Sequence, residues 1–295
     1  MTGNIKKIKL LILIFCFTIP GIYAQSNTGI TGTINWETMY LNVEITLDLV
    51  SAGIRLPAGR TQGESLLNAD YLGLITPGIL GLQADSSSTI ADLIDRREFS
   101  LLEAESIALG ANKTAPALSS DMRKMFSSYS ISLANISSAF HSSSRSSAVT
   151  RLLNPVSTAR YTGIVIIAAD SLPVHGMRGT AKAVPCLFPK IWDSEMNLIY
   201  EKNMLHSRDT AMVRYSTMQN IFQNNPSGLS RELQDVVGER PLRIFACGVY
   251  GINPTDLIID RSDALLILSS EENQRLLSQG RVAVILDESV LKHNY

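Results

Sequence analysis

Apolar and polar positions alternate most cleanly over residues 41–49. Leu41, Val43, Ile45, Leu47 and Leu49 are apolar, while Asn42, Glu44, Thr46 and Asp48 between them are polar. A period of two places the apolar set on one face of an extended chain, so this run predicts a half-buried strand. It stops at Ser51-Ala52-Gly53. Tyr129, Ile131 and Leu133 repeat the pattern against Ser128, Ser130 and Ser132 and predict a partner strand. Between the two runs the texture is helical. Thr61 with Glu64, Thr89 with Asp92 and Ser100 with Glu103 each fit a capping box, in which hydroxyl and carboxylate satisfy free first-turn amides. Leu66, Leu67 and Tyr71 are the expected buried stripe of the first helix, and Gly110 is the expected stop of the third. Residues 25–36, rich in Gly, Thr and Asn, read as a mobile leading segment.

The pattern turns β-rich from Tyr161. Residues 163–168 (GIVIIA) are continuously apolar, as in a strand covered on both faces. Residues 187–192 and 198–200 flank the polar 193–197 and predict a hairpin. Further strands are expected at 211–215, 242–249 and 281–286. A helix opening at Ser262, running through Ala264, Leu265, Leu268 and Leu276, should stop at Gly280. The fold class is α+β. An antiparallel-rich sheet is expected in the C-terminal half, and short helices between amphipathic strands in the N-terminal half. No repeat of solenoid period occurs. The expected organisation is a signal peptide (1–24), an N-terminal α+β region (25–136), a Ser-rich flexible connection (137–154) and a C-terminal α+β domain (155–295).

Residues 1–24 change the picture most. Lys6, Lys7 and Lys9 precede the apolar LLILIFCFT, Pro20 and Gly21 break it, and Ala24-Gln25 is a fitting cleavage point. This is the tripartite pattern of a secretory signal peptide. The apolar stretch is shorter than the ~20 residues of a spanning helix, so cleavage is expected rather than retention as an anchor. Loss of three Lys leaves 23 basic against 27 acidic residues in the mature chain, a mildly acidic exported protein with no transmembrane helix. Export puts Cys186 and Cys247 where a disulfide can persist. Both lie in apolar sequence and are expected to be buried, as two inert thiols or as a pair.

The 295 residues are 45% hydrophobic and 18% charged, which supplies a core and excludes disorder throughout. Balanced charge, 26 basic against 27 acidic residues, argues against a nucleic-acid binder. His141, His175, His206 and His293 are scattered without metal-ligand spacing, so neither a metal nor another cofactor is expected. Asp170, Ser171 and His175 supply the residue types of a hydrolase triad, but no G-x-S-x-G surrounds Ser171, and the segment reads more simply as a turn. Gly176, Gly179, Thr180 and Lys182 miss the phosphate-loop spacing. Asp193 and Glu195 read as solvated acids on an exposed turn, and Asn253-Pro254-Thr255-Asp256 as a tight bend. No catalytic residue is assigned.

Four segments carry a family resemblance: YTGIVIIA (161–168), LFPKIWDSEMNLIY (187–200), GVYGINPTDLIIDRSDALLIL (248–268) and GRVAVIL (280–286). Their order and spacing resemble exported bacterial envelope proteins related to a small outer-membrane lipoprotein family that includes flagellar basal-disc-type proteins. The helical region before them resembles spirochaete envelope proteins. Cys16 follows Phe15 inside the apolar run, so the lipidated Cys of that lipoprotein family has no counterpart here. The resemblance implies no catalytic residues. The expected function is that of a non-enzymatic envelope protein, in the periplasm or at the outer membrane. It would act by assembly with itself or with envelope partners, near the flagellar machinery in the finer form of the reading. The alternative is a periplasmic hydrolase resting on Asp170, Ser171 and His175.

Overall fold

A computed structural model describes residues 27–69, 71–140, 155–206 and 211–294. The leader reading, the Ala24-Gln25 cleavage point, His141 and the Ser-rich stretch from 141 to 154 lie outside the described residues.

The first sheet opens with β1 (Thr28–Asn35), hairpinned to β2 (Tyr40–Asp48). The expected leading loop is therefore mostly strand: β2 supplies partners along all of β1. The turn is set by Asn35, whose Oδ1 accepts the backbone N–H groups of Glu37 and Thr38, both at 3.1 Å. The helical insertion follows as α1 (Arg60–Ala69), α2 (Tyr71–Leu80), α3 (Ile90–Asp95) and α4 (Leu101–Leu109). Two short strands, β3 (Asn112–Lys113) and β4 (Ala117–Leu118), then pair with β5 (Lys124–Ser132). β5 returns beside β2 in antiparallel register, with Val43 opposite Tyr129 and Leu41 opposite Ile131. The two alternating runs thus meet across the insertion. Their inward faces bury Leu41, Val43, Ile45, Leu47, Met125 and Ile131 almost completely. At about 1.5–3 kcal/mol per buried aliphatic side chain, this face anchors the N-terminal unit. Gly63 of α1 sits so close that a Cβ there would be 3.2 Å from both Leu49 and Met125.

Thr89 and Ser100 cap α3 and α4 with complete capping boxes. Thr61 does not cap α1: the helix begins one residue earlier, and Glu64 pairs instead with Arg60 at 3.0 Å. Leu66 is exposed, leaving Gly63 and Leu67 as the residues α1 buries. The chain leaves β5 in α5 (Leu133–Phe140), which buries Ser137 and Phe140. The first four residues of the expected flexible connection are therefore the end of a packed helix.

The second half contributes β6 (Ile164–Ile167), β7 (Ser171–Pro173), β8 (Thr180–Lys182), β9 (Ile191–Asp193), β10 (Leu198–Tyr200) and β11 (Arg214–Ser216). There follow α6 (Arg231–Val237), β12 (Leu242–Tyr250), β13 (Asp256–Ile259), α7 (Arg261–Leu268), α8 (Glu271–Ser278), β14 (Val282–Ile285), α9 (Glu288–Leu291) and β15 (Lys292–Asn294). Seven strands form one sheet in the order β10-β9-β13-β12-β6-β14-β11. The class is α+β, and this sheet is mixed. β9–β10 and β12–β13 pair antiparallel, whereas β13–β9, β12–β6, β6–β14 and β14–β11 pair parallel. The parallel centre explains why GIVIIA and RVAVIL are continuously apolar: both faces are covered. The single helix expected from Ser262 to Gly280 is two. Asp260 caps α7 in place of Ser262, and Ser270 starts α8 anew.

The Thr-Gly of the first strand has a local purpose. Thr162 Oγ1 donates to Val237 O at 2.7 Å and accepts the Arg240 N–H at 3.0 Å. A Cβ on Gly163 would lie 2.4 Å from Val237 Cα, so the end of α6 docks only against glycine.

The two halves are joined through several segments. β15 returns from the far end of the chain to pair with β1, Trp36 meets Tyr215 edge-on at 5.9 Å, and the loop at 83–86 receives backbone N–H groups from Leu187, Phe188 and Asn253. No helix among the described residues is long and apolar enough to cross a membrane.

Candidate functional site

β12 lies between β6 and β13, and its side chains alternate. Leu242, Ile244 and Ala246 point into the core, while Arg243, Phe245 and Cys247 point outward. On the outward side, helix α6 with Ile221 and Leu229 covers Val165 and Ile167 of β6 and Ala283 and Ile285 of β14. That cover stops at β6. Phe245, in register with Ile167, is 68% exposed. Further along the same strand Tyr250 is 39% exposed, and Ile252, in the turn that follows, is 80% exposed. β12 lies inside the sheet, parallel to β6 and antiparallel to β13, and its neighbour β6 is covered on both faces, so an open aromatic beside it stands out.

Tyr250 is held by ring contacts on two sides. Trp192 packs edge-on against Tyr250 with centroids 6.1 Å apart, and Tyr250 against His175 at 6.0 Å. Trp192 is held by its Nε1–H donating to Asp256 Oδ2 at 3.2 Å. Asp256 is 1% exposed and also accepts the Lys190 N–H at 3.2 Å and the hydroxyls of Thr255 at 3.3 Å and Ser86 at 3.5 Å. Burial pushes its carboxyl above the ordinary range, opposed by those hydrogen bonds. Two segments of the resemblance, the Pro-Lys-Ile-Trp-Asp run and the Asn-Pro-Thr-Asp turn, therefore meet at one carboxylate, with Ser86 of the first half reaching the same group.

Asp193 is not a solvated turn acid. It is buried and accepts three bonds: the backbone N–H of Glu195 at 2.9 Å and of Asn197 at 2.8 Å, and the Asn197 amide at 2.8 Å. Its partner in the sequence pattern, Glu195, is exposed and pairs with Arg261. The hairpin tip is therefore a structural knot.

Cys186 and Cys247 are free thiols, not bonded to each other. Cys186 is fully buried, and its backbone exchanges two hydrogen bonds with the Tyr215 hydroxyl, which accepts the Cys186 N–H at 3.1 Å and donates to Cys186 O at 2.8 Å. Cys247 is exposed, contrary to expectation, because the apolar run of β12 turns only every second residue inward. Burial chiefly raises the pKa of each thiol. Neither is therefore poised as a thiolate nucleophile.

The Asp170, Ser171 and His175 side chains are exposed, with Ser171 on the β7–β8 hairpin opposite Lys182. No hydrogen bond joins the three among the described residues. His175 instead packs against Tyr250 and gives its backbone N–H to Val249 O at 2.8 Å. Gly176 and Gly179 have φ of 77° and 122° and serve the turn between β7 and β8. Among the described residues, no group of three or more His, Cys, Asp or Glu side chains is placed to hold a metal ion. Phe245, Tyr250 and Ile252 were not singled out by sequence reasoning. The alternation within LRIFACGV was the signal that would have put Phe245 and Cys247 on one face.

Comparison with known proteins finds two matches, one to each half. Residues 27–139 match the family described as Treponema pallidum Tp0624, N-terminal domain, and residues 163–288 match Treponema pallidum Tp0624, second domain. The chain is thus similar in both halves to domains of one spirochaete protein, in line with the spirochaete part of the resemblance. No curated protein matches the chain.

Proposed function

We propose that this chain is an exported, non-enzymatic protein of the cell envelope that acts by docking other envelope proteins, or further copies of itself, on the open face of β12. The observation that carries the reading is the exposure of Phe245, Tyr250 and Ile252 beside strands β6 and β14, whose outward faces are covered by α6. Aromatic and Arg side chains on a rigid backbone are the usual anchors of protein interfaces, and Arg243 is held in place by donating to Ser227 O at 2.7 Å. The leader-like residues 1–24 support export, to the periplasm or the outer membrane. The resemblance of residues 161–286 supports the finer proposal of a place near the flagellar machinery.

Crosslinking in intact cells, followed by identification of the adducts, tests the reading. Phe245→Asp with Ile252→Asp should leave the fold intact, because both side chains are exposed, and should abolish the adducts. A chain that stays monomeric and partnerless in the envelope would end the proposal. The hydrolase alternative makes the opposite claim: Ser171→Ala or His175→Ala would abolish turnover of an ester or peptide substrate.

A further inference from the structure

The first sheet is packed on its inner face, where Gly63 of α1 approaches Leu49 and Met125. Its outer face stays in solvent: Thr31, Asn42, Glu44 and Asn112 are exposed, and Thr33, Ser128 and Ser130 half-buried. Strand register sets these side chains in rows. One row runs Asn294, Thr33, Asn42, Ser130 and Asn112 from β15 to β3, and the next runs Thr31, Glu44 and Ser128. A depression of about 500 Å3 lies over these rows between β1 and β3, and a second of the same size continues from Thr31 to Thr46 and Asp48.

The polar groups here are held in place without being used up. Ser130 Oγ donates to Asn42 Oδ1 at 2.8 Å, which leaves the Asn42 NH2 free to donate. Thr33 Oγ1 donates to Asn294 Oδ1 at 3.0 Å. The side chains of Thr31, Glu44 and Asn112 form no hydrogen bond or ion pair among the described residues. Donors and acceptors therefore stand side by side on a rigid sheet. Two aromatic residues share the face: Tyr40, 38% exposed, at the start of β2, and Phe126, half-buried and in register with Thr46 near its end.

The chemistry of the face selects its occupant. A protein partner wants an apolar centre, whereas the centre of this face is Thr, Ser, Asn and Glu. A nucleic acid wants cations against its phosphates. Lys113 borders the depression, but its ammonium is bonded to Asn68 and lies over the ring of buried Tyr129 at 5.6 Å, and Lys124 stands opposite Asp48. A neutral sugar fits what is present: its hydroxyls both give and accept hydrogen bonds, and the apolar faces of its rings can rest on aromatic side chains. We infer that the outer face of the first sheet binds a neutral oligosaccharide along β2, its hydroxyls on Asn42, Glu44 and Asn112 and its ring faces on Tyr40 and Phe126. This site lies apart from the open face of β12 and does not rest on the docking proposal.

The probes are cellotetraose, maltotetraose and chitotetraose, titrated into the whole chain while 15N spectra follow the Asn side-chain amides. Asn42→Ser and Asn112→Ser assign the two signals that matter. At least one tetrasaccharide should shift both signals saturably, in the millimolar range or below. Glu44→Gln, a change of equal shape at an exposed position, should weaken that sugar about 10-fold, the difference between a charge-assisted and a neutral bond. Thr31→Arg, which fills the middle of the groove, should abolish binding. Phe245→Asp should leave it unchanged, which separates this site from the β12 face. The inference is overturned if none of the three sugars shifts these amides, if Glu44→Gln or Thr31→Arg binds like wild type, or if heparin, an acidic polymer, binds the face in their place.

Discussion

Replacing Asp256 by alanine removes the acceptor that ties the β9 segment to the turn before β13. Two donors lose their partner: the Trp192 indole N–H and the backbone N–H of Lys190, each now at 3.2 Å from a carboxylate oxygen. The Thr255 and Ser86 hydroxyls can rotate to other acceptors. Each buried donor left unsatisfied costs about 1–3 kcal/mol, so the gross loss is about 2–6 kcal/mol. Alanine also ends the cost of holding a carboxylate out of water, and the expected net loss is about 1–3 kcal/mol. Asparagine keeps one acceptor oxygen but turns an NH2 toward the second donor, so its loss should be smaller than that of alanine. The sign with pH follows from the raised carboxyl. Protonated Asp256 is favoured in the fold relative to the unfolded chain. The stability this group contributes is fully present below the ordinary carboxylate value of about 3.9 and is lost as pH rises through the raised folded value. Urea unfolding followed by Trp fluorescence, run at about pH 4 and at pH 7 on wild type and Asp256→Asn, isolates that slope as the difference between the two proteins. Wild type should lose ground relative to Asp256→Asn as pH rises. The reasoning is refuted if Asp256→Ala unfolds within about 0.5 kcal/mol of wild type, if asparagine costs as much as alanine, or if the pH-dependent difference has the opposite sign.

Two further outcomes follow from close packing and burial. Gly163→Ala puts a Cβ 2.4 Å from Val237 Cα and 2.5 Å from Val237 O, a clash with backbone that no rotamer relieves; a loss of about 1–3 kcal/mol is expected in the same unfolding assay. A thiol reagent should modify Cys247 in the folded protein, faster as pH rises toward its raised pKa, and should reach Cys186 only on unfolding.

The strands with a strict period were legible because the register of one strand is decided by its own alternation. Leu41 to Leu47 and Met125 to Ile131 face the core as a period of two requires. Two of three capping boxes formed for the same local reason. The third failed through a competitor one residue away: Arg60 holds Glu64, and the helix starts before Thr61. Composition misled at β1, where Thr and Gly suggest a loop but the neighbouring β2 supplies a ladder. It misled again at Asp193, since nothing local tells a solvated acid from one that gathers three donors. The open face of β12 was illegible for a deeper reason. Alternation says which side chains share a face, but whether that face is covered depends on α6, whose reach across β6 and β14 is a tertiary fact.

The same distinction bears on the matched spans, which end at 139 and 288 and treat the halves as separate units. The physical boundary is elsewhere. β15 lies beyond the second span and is hydrogen-bonded to β1 of the first, with Thr33 opposite Asn294. Ser86 contributes a hydroxyl to Asp256, and a Cβ on Gly251 would lie 2.3 Å from Ser86 Cβ, so the loop after α2 and the turn after β12 approach as closely as backbone allows. Phe99 stacks on Phe140 at 4.1 Å between centroids, and Phe188 meets Phe140 edge-on at 5.3 Å across the junction. These contacts share one hydrophobic core between the halves, which leaves little freedom for hinge motion at their junction. A partner docking on the β12 face would therefore meet a surface whose backing at Tyr250, from Trp192 through Asp256 to Ser86, reaches into the other half of the molecule.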